Sequence, residues 1–394
     1  MLSARLDSSY APDVRRAITP LTMAKIGANS AYRFAPPFLA TIAADLHASL
    51  PTIGAAIAVG ELFGLTAPLL GRLAANITRR RAICLGLLGI GLSTSGCALS
   101  QNAVELAICL ALLTMTKIVF DLGVVAWLSD RVPYVQRGRV IGLTETAWAG
   151  GLFIGVVIMG VVTGFTSWRW AYAVAVAAVV AFSALLRQRL PHEPLIQRVP
   201  RETEHAKPRL GKGWWVILAT MTLTASAQSV FLTFGKWLRD GFGFSDTDLA
   251  IVIFGFGAVE LLAASSMIRY SDRWGKQRSA MVGATLIIPF GIGLALSSNH
   301  VVIALPLLAL YIGAFEFAIV SALPLASNLV PGHPAKGIGL MVGGGTLGRA
   351  LIATPATAAF ASHGMWLPAT MGAGCAAATV ISQWRYRISL GSPM

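Results

Sequence analysis

Charge is scarce in this chain. Only 12% of its 394 residues are Asp, Glu, Lys or Arg, and 55% are hydrophobic. A soluble domain carries about 25% charged residues. A water-soluble globule is therefore excluded, and an all-α integral membrane protein is the expected class. Acidic residues are scarcer than basic ones, 17 against 31, for a formal net charge of +14. In a soluble chain that excess would point to nucleic acid. Here roughly 24 of the 31 Lys and Arg fall in one alternate set of loops and in the termini, the positive-inside pattern of a multi-pass protein. The basic excess is a topology signal, and no nucleic-acid partner is expected.

Cysteine is sparse too. Cys84, Cys97, Cys109 and Cys375 lie in or beside apolar runs without metal-ligand spacing, and each reads as a small hydrophobe. The histidines are scattered over loops with no paired ligands. No Walker-type Gly-rich Lys loop is present, which leaves ATP-driven transport unsupported. No Ser-His-Asp set has a nucleophile-elbow context. The reading is therefore no enzyme, no metal and no cofactor. A cleavable signal pattern is also missing, because the apolar stretch after Arg15-Arg16 is too long for a signal h-region.

What the chain does have is long apolar runs. Runs of at least about 18 residues mark membrane spans. They predict twelve, near 17–43, 51–74, 82–100, 103–128, 139–164, 170–188, 213–237, 246–269, 279–298, 300–325, 336–360 and 364–384. An even count puts both termini on one side, and Arg15-Arg16 with Arg385 and Arg387 make that side the cytoplasm. Residues 190–212 combine Pro191, Pro194, Pro200 and Pro208 with charges and read as a linker without a core. The outer loops are too short for a folded extramembrane domain. The chain thus divides into a six-helix half over 1–189, a cytoplasmic linker over 190–212, and a second six-helix half over 213–394.

A repeat supports the halving. Ser129-Asp-Arg-Val-Pro133 with Arg139-Val-Ile-Gly-Leu143 resembles Ser327-Asn-Leu-Val-Pro331 with Lys336-Gly-Ile-Gly-Leu340. A repeat of about half the chain length in a membrane sequence marks a two-halved transporter.

The charges that do enter spans are informative, because a charge in hydrocarbon is costly and marks a partner or a watery pathway. They are Lys25, Arg33, Glu61, Lys117, Asp121, Glu145, Lys236, Glu260, Glu316 and Arg349. Spans 3, 6, 9 and 12 have none in their interiors, as lipid-facing spans would. Lys117 and Asp121 are four apart and share a helix face. They are either a self-neutralising pair or a proton-exchanging carboxylate beside a tuning cation. Glu145 is a partner for Lys25 or Arg139, or a proton relay. Glu316 and Arg349 are placed to neutralise each other. Arg33 lies one turn before Pro36-Pro37, a pair that breaks or kinks a helix and frees carbonyls near a cation. Lys236, near the outer end of its span, snorkels. Aromatics interleave with these charges, among them Tyr32, Trp148 and Phe315.

Two six-span halves, a charged central linker and these loops resemble the major facilitator superfamily over nearly the whole chain. The resemblance implies alternating access, with spans 1, 4, 7 and 10 around a central cavity. The family's loop after span 2 reads Gly-x-Leu-Ala-Asp-Arg-x-Gly-Arg-Arg. Here it is Gly71-Arg72-Leu73-Ala74-Ala75-Asn76-Ile77-Thr78-Arg79-Arg80-Arg81, with the Asp replaced by Ala75. The copy after span 8 keeps Asp272-Arg273-Trp274-Gly275. By resemblance Gly71, Arg72, Arg79, Asp272, Arg273 and Gly275 are the gating motif, with Asp272 and Arg273 carrying more of the latch; the alternative is a plain positive-inside anchor. Span 4 of proton-coupled efflux members carries Arg-x-x-x-Gly-x-Gly, matched here by Lys117…Asp121…Gly123. Span 5 of the drug:proton antiporter branch has a glycine series matched by Gly142, Gly151 and Gly155, with Val156 for its Pro. Small residues at such spacing let helices approach closely.

These readings converge on a secondary transporter in a bacterial-type inner membrane, a proton-coupled exporter of a small amphiphilic organic compound. The alternative is a proton-linked importer or exchanger of an organic anion or a lipid-like substrate. A third reading is a non-transporting sensor on the same fold. Expected partners are a small molecule, protons and the lipid bilayer, and the expected state is a monomer. Proton coupling is assigned to Asp121, Glu145 and Glu61. Substrate contact is assigned to Arg33, Lys117, Tyr32, Trp148, Glu316, Phe315 and Arg349.

Overall fold

The computed structural model describes residues 6, 10–74, 76–132, 134–190, 213–326, 329 and 334–389. Most of the linker lies outside them, and so do the surroundings of Arg72, Gly142, Asp272 and Arg273.

Helix α1 (Pro12–Arg33) opens with Pro in its first turn and Asp13 near its positive end. It stops at Arg33, because Pro36 and Pro37 cannot donate to a continuing ladder. The chain turns and resumes as α2 (Leu39–Asp45), so the first predicted span is broken. Ser49 caps α3 (Leu50–Leu62) by accepting from the Thr52 amide. A 3-10 stretch over Phe63–Thr66 then separates α3 from α4 (Ala67–Ala74) inside the second span. Thr78 caps α5 (Arg79–Leu99), and Asn102 caps α6 (Ala103–Arg131). The fifth span is α7 (Tyr134–Gly150), a π-helical stretch over Gly151–Val156, and α8 (Val157–Phe165). The sixth is α9 (Trp168–Arg189). Beyond the linker come α10 (Trp214–Phe231), α11 (Phe234–Phe242), α12 (Asp246–Trp274), α13 (Lys276–Leu296), α14 (Val301–Ala326), α15 (Pro334–His363) and α16 (Trp366–Ser389).

These helices form rods at the positions of the predicted spans. Among the described residues, eight are long and apolar enough by themselves to cross a membrane. The bent pair of Leu39–Asp45 with Leu50–Thr66, turned by 115°, would make a ninth. Helix α1 is diluted by Arg15, Arg16, Lys25 and Arg33, which lowers its hydropathy without moving it out of sequence with the rest. The protein's surface carries many exposed large apolar residues, including Leu88, Leu92, Val180, Ile303 and Ile381. Apolar exposure on this scale needs a lipid solvent, and the chain is an integral multi-pass membrane protein.

Two compact units emerge from the internal packing. The first comprises Met1–Ala35, Thr66–Pro200 and Asp246–Phe254; the second comprises Pro36–Leu65, Arg201–Ser245 and Gly255–Met394. The second and eighth spans are each divided between the units. In the first unit, α5 packs on α6 and α9, and α1 packs on α7 and α9. In the second, α13 packs on α14 and α16, and α10 packs on α15 and α16. The pattern is the same, shifted by six spans.

The match extends to single contacts. A Cβ on Gly86 would meet the backbone of Phe120, and one on Gly283 would meet the backbone of Ala318. A Cβ on Gly155 would strike Ser30, and one on Gly348 would strike Met221 and Thr224. Ser30 donates through Oγ to the Gly151 carbonyl, and Thr224 through Oγ1 to the Gly345 carbonyl.

Candidate functional site

The first unit holds a buried ionic cluster where α1, α6 and α7 meet. Helix α1 contributes Lys25, Asn29, Tyr32 and Arg33, which share a face at helical spacing. Helix α6 contributes Lys117 and Asp121, and α7 contributes Glu145 and Trp148. Lys117 Nζ lies 2.6 Å from Asp121 Oδ2. Lys25 Nζ lies 2.5 Å from Glu145 Oε1 and 3.9 Å from Asp121 Oδ1. Lys25, Arg33 and Lys117 are each less than a tenth exposed, whereas the Glu145 side chain is 49% exposed. The carboxylates therefore grade outward, from Asp121 between two lysines to Glu145 at the edge.

An aromatic wall flanks the cations. The Arg33 guanidinium lies 4.6 Å from the Trp148 ring centroid. Lys117 Nζ lies 5.8 Å from the same ring and 5.4 Å from the Tyr32 ring. Both distances are within cation–π reach. Two cations thus share the Trp148 ring.

The π-helical stretch explains how α1 comes so close. A π turn interrupts the i→i−4 ladder and often marks functional sites. Side chains of α1 donate to carbonyls around it. Asn29 Nδ2 donates to Ala147 O at 2.9 Å, and Arg33 donates to Trp148 O at 3.1 Å. Gly151 and Gly155 leave room for this approach, because a Cβ on either would run into Asn29 or Ser30.

The sequence model of the Major Facilitator Superfamily matches residues 22–353. The chain belongs to the major facilitator superfamily. Its relatives include an uncharacterized MFS-type transporter of Bacillus subtilis, 25% identical over 68% of this chain and 66% of that protein. A chloramphenicol efflux pump of Mycobacterium tuberculosis is 26% identical over 66% of this chain and 65% of its own length. Multidrug resistance protein 1 of Bacillus subtilis is 26% identical over 60% and 62%. The match therefore spans less than two thirds of the length of these relatives. Among solved structures, the human organic anion transporter MFSD10 superposes with a TM-score of 0.72 at 17% identity, covering 95% of this chain and 100% of that one. A bacterial homolog of the human lysosomal transporter Spinster, inward-facing and unoccupied, gives 0.71 at 15% identity over 96% and 94%. At these identities the likeness is one of fold.

In this member of the superfamily, the other candidate residues distribute as follows. Arg349 Nη2 on α15 lies 2.9 Å from Glu61 Oε2 on α3, inside the second unit. Glu61, Glu260 and Glu316 are all buried there, and Phe315 is half-buried. Lys236 is joined to Asp240 at 2.6 Å. At the start of α5, Arg79 Nε lies 3.0 Å from Asp130 Oδ2 at the end of α6. Arg80 donates to the Arg187 carbonyl. Gly71 sits in α4, and Gly275 precedes α13 at φ 83°, a left-handed conformation that favours glycine. Asp130, Asn29 and Ser30 were not singled out from sequence. Asp130 carried a signal, since the repeat has Asp130 in one copy and Asn328 in the other. Asn29 and Ser30 carried none, because polar residues of that size are common in membrane helices.

Proposed function

We propose that the chain is a secondary active transporter that exports a small amphiphilic organic compound in exchange for protons. The observation that supports this reading is the placement of Asp121 between Lys117 and Lys25, beside an aromatic wall and a more exposed Glu145. Protonating a carboxylate in such a cluster releases a lysine from its partner. The lysine then seeks Glu145 or a substrate, and the cluster acquires two arrangements with different substrate affinity. Only such a difference lets a ligand move an equilibrium between states. Trp148 and Tyr32 supply a face for the apolar body of the compound, and Glu145 is positioned to pass the proton. Two relatives named for chloramphenicol efflux and multidrug resistance favour export of such compounds over uptake. The protein acts as a monomer in a bacterial-type inner membrane with both termini cytoplasmic, an orientation supported by the distribution of its basic loops.

A second reading rests on charge. The cluster's five described ionic side chains comprise three cations and two carboxylates, which leaves one net positive charge. That surplus, with Arg33 and Lys117 on one ring, suits the carboxylate or phosphate head of an organic anion.

The deciding experiment is proton release from purified protein in detergent, near neutral pH, on addition of chloramphenicol as probe or of other amphiphilic compounds. Release by the parent but not by Asp121→Asn is the expected result. Release by both moves the proton site to Glu145 or Glu61. Demonstrable binding without release overturns antiport and favours the anion carrier. Counterflow of a labelled organic anion in vesicles then tests that second reading.

A further inference from the structure

Two of the four free cysteines face each other across a helix hairpin. Cys97 lies near the end of α5, and Cys109 lies two turns into α6. The Cys109 sulfur lies against Gly96, the residue before Cys97, so close that a Cβ there would meet it, and the two thiols interact electrostatically. Cys97 is wholly buried, and Cys109 is half-buried. The helices are drawn together by a rail of glycines on α5. A Cβ on Gly86 would meet Phe120, one on Gly89 would meet Thr116, and one on Gly96 would meet Cys109 Sγ. A disulfide needs Cα atoms within about 7 Å, and a rail of residues without Cβ lets the two helix backbones approach closely.

The corner joining the helices is also fixed. Ser100 Oγ donates to the Cys97 carbonyl at 2.8 Å, and Arg169 donates to the Ser100 carbonyl at 2.9 Å. Asn102 accepts from the amides of Val104 and Glu105, and Glu105 accepts from the Gln101 amide and the Asn102 side chain. Both sulfur atoms are thus held by short, hydrogen-bonded lengths of chain and not by mobile loops.

We propose that Cys97 and Cys109 are a redox-active dithiol that closes to an intramolecular disulfide, stapling α5 to α6, on contact with a two-electron thiol oxidant. Cys109 is the attacking thiol, because it is the more exposed of the two. With an azo oxidant such as diamide, its sulfur adds to the N=N bond. The buried Cys97 sulfur then attacks Cys109 sulfur and expels the reduced hydrazine, which keeps both electrons and both protons. With a small disulfide as oxidant the same two steps release two thiols. The sequence alone hid the pair, because the residues are on different spans and each resembles a lone packing cysteine.

The test treats the purified full chain with diamide, denatures it without reductant, and counts free thiols by maleimide–polyethylene glycol gel shift. The parent should fall from four labels to two and return to four with dithiothreitol. Cys97→Ser and Cys109→Ser should each keep three labels through oxidation, and Cys84→Ser should fall from three to one. Peptide mass mapping of the oxidised parent should find residues 97 and 109 joined. Four labels retained by the oxidised parent, or a bridge mapped elsewhere, would overturn the proposal. The parent and Cys84→Ser keep the test decisive if a variant at 97 fails to fold.

Discussion

Lys117 and Asp121 sit one turn apart on α6, with Nζ and Oδ2 2.6 Å apart and the lysine side chain only 11% exposed. The ammonium is held inside an apolar span by that carboxylate. Breaking a buried pair from one side leaves an uncompensated charge and costs about 3–5 kcal/mol. The Asp121 side chain is 29% exposed, so the low end applies, about 3 kcal/mol. Asp121→Asn should lower the thermal unfolding midpoint in detergent. Adding Lys117→Met should restore at least half of the loss, because it removes the stranded cation. An Asp121→Asn protein as stable as the parent would sink this account of the cluster.

Glycine packing makes a sharper steric test. Gly155→Ala places a methyl group against Ser30 Oγ, and overpacking of this kind costs about 1–3 kcal/mol. Ser30→Gly in the same chain should recover most of it. Gly374→Ala on α16 is the control, since a Cβ there meets nothing within 4 Å. That change should be neutral or stabilising by up to about 1 kcal/mol, the helix-propensity gain of Ala over Gly. Equal melting curves for Gly155→Ala and Gly374→Ala would remove the packing explanation.

For Glu61 and Arg349 the expected result is a rescue. Either Glu61→Gln or Arg349→Gln removes the ion pair between α3 and α15 and should destabilise the protein by about 3 kcal/mol, the lower bound for a buried pair, since the Arg349 side chain is 25% exposed. The double variant should be more stable than Glu61→Gln alone. A strictly additive double variant, read by thermal unfolding, would mean that the two residues are not energetically coupled.

Arg79 and Asp130 behave differently. Their side chains are 26% and 36% exposed, and exposed pairs contribute about 0–1 kcal/mol, screened further by salt. Asp130→Asn should therefore leave stability almost unchanged. If the pair latches a gate, the same variant should change the rate at which a cysteine placed on the cytoplasmic side reacts with maleimide. A change in melting with no change in that rate would make it a structural anchor.

The fold was legible because its signals are long and repeated. Apolar runs set the rods. The breaks were less legible. Pro36-Pro37 announced the end of α1, but nothing in Phe63–Thr66 or Gly151–Val156 marks a 3-10 or π stretch, since both depend on packing against neighbouring helices. Spacing on one helix revealed Lys117 with Asp121. It left Lys25 open among the neighbours of Glu145 and did not bring Glu61 to Arg349. Those pairings join distant spans, and a single sequence records composition more readily than approach.

The repeated contacts have a consequence for how this chain can vary. Carrying Lys25 by the step from Ser30 to Thr224 lands on Ala219. Carrying Lys117 and Asp121 by the step from Phe120 to Ala318 lands on Phe315 and Ile319. Carrying Glu145 by the step from Gly155 to Gly348 lands on Ile338. The scaffold was duplicated, but this ionic centre exists in one copy. Mutational drift at the second copy's counterparts exchanges one uncharged residue for another at little electrostatic cost, whereas every loss in the first copy is without a spare.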